Sequence, residues 1–158
     1  MRTTPCPTTL LSRLSHLKIV NIVNRNSGQC LAIGGASMSN GAAAIQWPCG
    51  SGLEQQWLVD SEPLRRTTIV NVNSGKCLAI GGASISPGTG AIQWPCNNGG
   101  EQSWFWHVYD HPPHNSELTP RHSGLCLAIG GASTAPAARA LQWTCNGGLE
   151  QKWQFYNA

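Results

Sequence analysis

Three of the seven acidic residues in this 158-residue chain recur at one place. Glu54, Glu101 and Glu150 each stand directly before a glutamine (Gln55, Gln102 and Gln151) in a Glu-Gln-x-Trp segment. A carboxylate can accept hydrogen bonds, ligate a metal or move a proton. Glycoside hydrolysis normally needs two carboxylates flanking one bond, and each segment supplies one. No GxSxG, HExxH or P-loop pattern occurs in the chain. These residues speak for binding rather than catalysis. Six of the seven cysteines recur just as regularly, but no CxxC is present and no histidine repeats beside them. A zinc site is therefore not expected, and no cofactor is implied.

The recurrence has a period. Asn24–Trp57, Asn71–Trp104 and Pro120–Trp153 are three copies of one unit, with first cysteines Cys30, Cys77 and Cys126 spaced 47 and 49 residues apart. In each copy a second cysteine follows 19 residues later and a tryptophan 8 after that. Threefold repetition favours pairing within each copy, Cys30–Cys49, Cys77–Cys96 and Cys126–Cys145, among the fifteen connectivities that six cysteines allow. Each unit reads as short strands parted by turns. Leu31 and Ile33 alternate with Cys30 and Ala32, the period of a half-buried strand, and Gly34-Gly35 ends it. Asn40-Gly41 marks a turn before a strand over Ile45–Cys49. No window has sustained apolar residues at helical spacing. A single unit could not bury its own apolar face. Three around a pseudo-threefold axis would bury the Leu/Ile rows with Trp57, Trp104 and Trp153. The expectation is a closed all-β form with too few units for a propeller.

The SGxCL start, the QWxC strand and the closing QxW of each copy resemble the ricin B-chain-type β-trefoil lectins, over roughly residues 18 to 157. The resemblance implies a β-trefoil of about twelve strands with one potential sugar pocket per repeat and no catalysis by the module. It agrees with the within-repeat disulfides. Repeats are expected at about 18–62, 63–112 and 113–158, after a tail over 1–17. In such lectins a carboxylate two residues past the first cysteine and an amide before the QxW bond adjacent hydroxyls. An aromatic ring on the WxC strand covers the apolar sugar face. Here Ala32, Ala79 and Ala128 replace that carboxylate, and Glu54, Glu101 and Glu150 stand where the amide is usual. One reading gives these glutamates the acceptor role, with Trp47, Trp94 and Trp143 as platforms oriented by Gln55, Gln102 and Gln151. The other has the glutamates accepting backbone N–H groups of the adjacent turn, in pockets that bind nothing. Alternation sets Ile45, Trp47 and Cys49 on one face and turns Gln46 inward, which is costly unless Gln46 is hydrogen-bonded. A bulge would exchange Gln46 and Trp47. Repeats one and two, sharing IQWPC, are expected to behave alike, with repeat three different through LQWTC and Pro136-Ala137.

Composition narrows the partners. Only 11% of residues are charged and the net charge is +3, with no basic run, which disfavours a nucleic-acid binder. No apolar run approaches the ~18 residues of a membrane span. Disulfides imply an oxidising, extracellular compartment. The N-terminus has no signal-peptide apolar region, which is expected either of a module cut from a longer parent, where a catalytic domain is one candidate partner, or of a chain with a mis-called start. The expected partners are glycans or polysaccharide, galactose-type or xylan-like. Cys6 is left over in a Pro/Thr-rich tail. His107, His111 and His114 surround Pro112-Pro113, which forbids a helical metal-binding face, so solvated loop histidines are expected. The glycine-rich IGGAS segments precede no helix that could cradle a phosphate and read as turns that the fold requires.

Overall fold

The computed structural model describes residues 16–61, 66–108 and 115–158. Repeat one contains β1 (Leu17–Asn24), β2 (Cys30–Ile33), β3 (Ala44–Trp47) and β4 (Trp57–Asp60). Repeat two contains β5 (Arg66–Thr67), β6 (Val70–Asn71), β7 (Cys77–Ile80), β8 (Ala91–Trp94) and β9 (Trp104–Val108). Repeat three contains β10 (Ser116–Pro120), β11 (Cys126–Ile129), β12 (Ala140–Trp143) and β13 (Trp153–Asn157). Four strand positions per repeat give the expected twelve; the thirteenth arises because the first strand of repeat two is divided into β5 and β6. All strand pairs are antiparallel. Among the described residues no helix is long and apolar enough to cross a membrane.

The first and last strands of the repeats close a barrel. β1 lies between β4 and β13, β4 pairs with β6, β5 with β9, and β10 joins β9 to β13. The three inner hairpins, β2–β3, β7–β8 and β11–β12, cap one end and touch in rotation through single bridges: Ala43 to Ile92, Gly90 to Leu141, and Arg139 to Ile45. This is a β-trefoil. Trp57, Trp104 and Trp153 are fully buried in one core with Leu31, Leu78 and Leu127. Each indole N–H donates to one of those leucine carbonyls, at 2.9, 3.0 and 3.0 Å, so no polar atom is left bare by burying the ring.

Two expectations need correction. The Cys-Leu-Ala-Ile strands are buried at all four positions, not on alternate ones. Their outer face is covered too, because the cysteine is bridged and the Glu-Gln turn packs over the strand. His107 is not a loop histidine: it lies in β9, half-buried, with Nε2 3.1 Å from Thr119 Oγ1. Burial lowers its pKa against the opposing pull of Glu117, with Arg66 adding to the lowering. His111, His114, Cys6 and residues 1–15 lie outside the described residues.

The three bridges, Cys30–Cys49, Cys77–Cys96 and Cys126–Cys145, are those expected. The inward glutamines are the stronger constraint. Gln46 Nε2 donates to Ser133 and Ala135 carbonyls in repeat three at 3.0 and 2.9 Å, while its Oε1 accepts from Ser27 at 2.6 Å. Its backbone also bonds that loop, N–H to Ala138 O and C=O from Ala137 N–H. Gln93 holds the Ser37–Ser39 loop of repeat one in the same way, and Gln142 the Ser84–Ser86 loop of repeat two. Every repeat is thus fastened to another by a buried amide with its bonds filled.

Gln46→Leu should therefore cost about 3 kcal/mol, since it strands the Ser133 and Ala135 carbonyls and the Ser27 hydroxyl that the buried amide holds. Urea denaturation with the disulfides intact measures it. A loss under about 0.5 kcal/mol would contradict the fastening role.

Candidate functional site

The pairing of β2 with β3 is regular: Cys30 lies opposite Trp47, Leu31 opposite Gln46, and Ile33 opposite Ala44. No bulge intervenes, so Gln46 turns in and Trp47 turns out. The same register recurs in β7–β8 and β11–β12. Trp47, Trp94 and Trp143 are 48%, 43% and 47% exposed, unlike the buried tryptophans of the core. Each forms one wall of a surface cleft.

The three clefts are built alike. Ala32, Ile33 and Ile45 line the apolar base of the first, with Trp47 on one side and Glu54 and Gln55 at the end. Ala79, Trp94, Glu101 and Gln102 repeat this in the second, and Ala128, Trp143, Glu150 and Gln151 in the third. Their volumes are about 580, 270 and 380 Å³ in chain order, on the scale of small-molecule sites. All nine candidate residues named from the sequence border a cleft.

Their chemistry differs. Gln55 is buried, and its amide is fully engaged: Nε2 donates to Pro48 O and Oε1 accepts from Gly50 N–H, at 3.0 and 2.8 Å. Gln102 and Gln151 make the same pair of bonds to the segments after β8 and β12. These amides position the loop that follows the tryptophan strand. The three carboxylates, by contrast, make no protein hydrogen bond among the described residues. They fold back over Gly52, Gly99 and Gly148, where any Cβ would collide with the carboxylate. Glutamates acting as caps for the adjacent turn are therefore not what the fold contains. Their acceptor capacity faces the cleft and solvent. Asn71 and Asn24 hold the backbone carbonyls of Glu54 and Glu150. Pro120 replaces that asparagine opposite Glu101.

Two features escaped the sequence reading. Gly34–Ala36 and its equivalents form 3-10 turns, as a turn reading required, but they also line the clefts. Ala36, Ala83 and Ala132 sit at φ of 51, 52 and 51°, a region costing an alanine about 1 kcal/mol. That cost recurs three times at a cleft rim; the repeated IGGAS was its signal. Asn97 and Asn146 also line clefts two and three, each with Oδ1 accepting a glycine N–H at 2.8 Å and Nδ2 making no protein hydrogen bond among the described residues. Repeat one has Gly50 there.

A β-trefoil with an aromatic-walled cleft and an unengaged carboxylate in every repeat is a carbohydrate-binding, lectin-like module. The model of the ricin-type β-trefoil lectin domain matches residues 18–153, and the chain belongs to that family. Among solved structures it is similar to ThreeFoil, a designed threefold-symmetric protein, with 33% identity over 89% of this chain and 99% of that one and a TM-score of 0.83. It is also similar to an exo-β-1,3-galactanase from Clostridium thermocellum, with 30% identity, 89% of this chain, 30% of the enzyme and a TM-score of 0.82. The Macrolepiota procera ricin B-like lectin, solved in complex with lactose, shares the fold at 21% identity over 89% of this chain and 96% of that one, TM-score 0.72. No curated protein matches the chain.

The contrast between free carboxylate and engaged amide is measurable. Glu101→Ala should change unfolding free energy by less than about 0.5 kcal/mol, whereas Gln102→Leu should cost about 2 kcal/mol by stranding Pro95 O and Asn97 N–H. Equal losses in a denaturant titration would show that the glutamate is structural.

Proposed function

We propose that each cleft binds one sugar unit weakly and without metal, and that the three together hold a multivalent glycan or polysaccharide. The observation that carries this is the threefold recurrence of an outward tryptophan beside an unengaged carboxylate. The ring covers the apolar C–H face of a pyranose; Glu54, Glu101 and Glu150 accept from its hydroxyls. Gln55, Gln102 and Gln151 act on the sugar by holding the loop beside the ring. An open cleft with one ring and a few hydrogen bonds gives millimolar to sub-millimolar affinity. Three on one rigid body raise the effective concentration of the next contact.

Galactose-type residues are favoured over xylan-like chains. Support comes from the galactanase, 30% identical over the part aligned, and from the lactose-bound lectin of the same fold. This chain covers 30% of that enzyme. We infer that residues 18–158 serve as one non-catalytic appendage of a longer, secreted protein, with the disulfides set by an oxidising compartment. One carboxylate per cleft leaves no acid–base pair to cleave a glycoside. A second reading, a structural or protein-binding appendage, is favoured by the alanines at 32, 79 and 128, which remove the acceptor usual in the family.

Calorimetry with a galactose-rich polysaccharide on single, double and triple Trp47→Ala, Trp94→Ala and Trp143→Ala variants separates the two. Affinity should fall with each substitution while the half-exposed positions leave the fold intact. Unchanged binding by a folded triple variant would overturn the assignment.

A further inference from the structure

The clefts are not confined to their own repeats. The turn before each tryptophan strand lies beside the tryptophan of another repeat. Gly41 N–H donates to Gln93 O, Gly88 N–H to Gln142 O, and Ala137 N–H to Gln46 O, at 2.8, 2.7 and 2.8 Å. These bonds place Gly41 against Trp94 and Gly88 against Trp143. A methyl on Gly41 or Gly88 would stand 3.9 or 3.5 Å from the Cζ3 atom of that ring, an ordinary contact. At the third equivalent position the methyl exists: Ala137, held at φ 70°, borders the cleft of Trp47. The Pro136-Ala137 turn, expected to set repeat three apart, therefore distinguishes the cleft of repeat one. That cleft differs in a second way, since Gly50 takes the place of Asn97 and Asn146 and offers no carboxamide. It is also the largest of the three.

We propose that cleft one is a separate specificity site, completed by Ala137, for a pyranose carrying a methyl-bearing substituent such as an acetamido group. Clefts two and three, with an asparagine amide beside the glutamate, take the fully hydroxylated sugar. This rests on the carbohydrate-binding reading of the clefts. In cleft one the acceptor is Glu54, and the remaining surface around Trp47 is aliphatic: Ala32, Ile33, Ala36, Ile45 and the Ala137 methyl. A methyl placed there leaves water without stranding a polar group. In clefts two and three the equivalent turn position is glycine, and Asn97 or Asn146 adds a polar carboxamide to the lining, so the same methyl gains less apolar contact. One buried methyl corresponds to about a fourfold change in affinity.

The indole Nε1–H resonances of Trp47, Trp94 and Trp143, assigned with single Trp→Phe variants of the full chain, report each cleft separately. Titration with galactose and with N-acetylgalactosamine should give an affinity ratio favouring the acetamido sugar about fourfold more at Trp47 than at the other two. Ala137→Gly should bring the Trp47 ratio to the common value and shift the Trp47 resonance even without sugar. It relieves a left-handed alanine, so the fold should survive. Gly50→Asn should raise galactose affinity at Trp47 alone. Equal ratios at all three indoles in the native chain, or an unchanged Trp47 ratio in Ala137→Gly, would overturn the proposal and leave sugar binding standing. Silence at all three indoles with both sugars would overturn the carbohydrate reading, and this proposal with it.

Discussion

The buried glutamines Gln46, Gln93 and Gln142 are the constraint on which the other features depend. An uncharged amide at the centre of a hairpin strand is costly in a core unless every donor and acceptor is met. Here the oxygen accepts from a serine of its own repeat, but both amide N–H bonds are met by a loop of another repeat, 54 to 89 residues away. No repeat can satisfy its own glutamine, so the amide enforces the cyclic arrangement as well as stabilising it. It also decides which way the neighbouring tryptophan points. A one-residue slip of β3 would bury Trp47 and expose Gln46, losing both interactions at once. The exposed aromatic wall of each cleft is therefore the outward consequence of an inward hydrogen-bond network.

Much of this was legible in the chain because the repeats preserve short-range patterns. Cysteine spacing identified the bridges, and the alternation of Ile45, Gln46 and Trp47 gave the faces that β3 has, although only the register excludes the bulge that would exchange them. What alternation could not show was whether Gln46 would be satisfied, because its partners are distant in sequence. The same limit explains Ala137. Its substitution for glycine is visible in repeat three, but the tryptophan it borders belongs to repeat one. The strand Cys30–Ile33 misled for a different reason: period-two reasoning assumes one solvated face, and here a disulfide and a tight turn cover the second. The role of Gly52 beside Glu54 was hidden too, since a glycine two residues before a carboxylate reads only as loop punctuation.

The clefts divide polar labour in a way their shared Glu-Gln dipeptide conceals. The glutamine is spent on the backbone of the segment after the tryptophan strand, and the adjacent glutamate is left without a protein donor. A rigid loop with a free acceptor is what weak recognition of a hydroxylated ligand requires, because little ordering remains to be lost on binding. Under the proposed reading, the alanine at position 32 and its equivalents fits the same economy, with the acceptor at the rim instead of on the buried strand. The base of the cleft is then apolar, and on that reading more of the contact falls to the ring and the aliphatic side chains.

Cyclic sharing of turns gives sequence change an indirect effect. A substitution in the turn of one repeat leaves its own cleft alone and alters the cleft of its neighbour, through a contact on the tryptophan ring. The loop bonded by each buried glutamine is also the loop that carries this turn, so its backbone is held while the side chain at its tip is free to vary. Gly41, Gly88 and Ala137 share one backbone bond and differ only by a methyl group. The fold tolerates that methyl at the price of a left-handed backbone angle, which glycine would adopt without strain. Its presence at the wall of the first cleft, where the other two repeats have glycine, is the physical reason to treat that cleft as distinct.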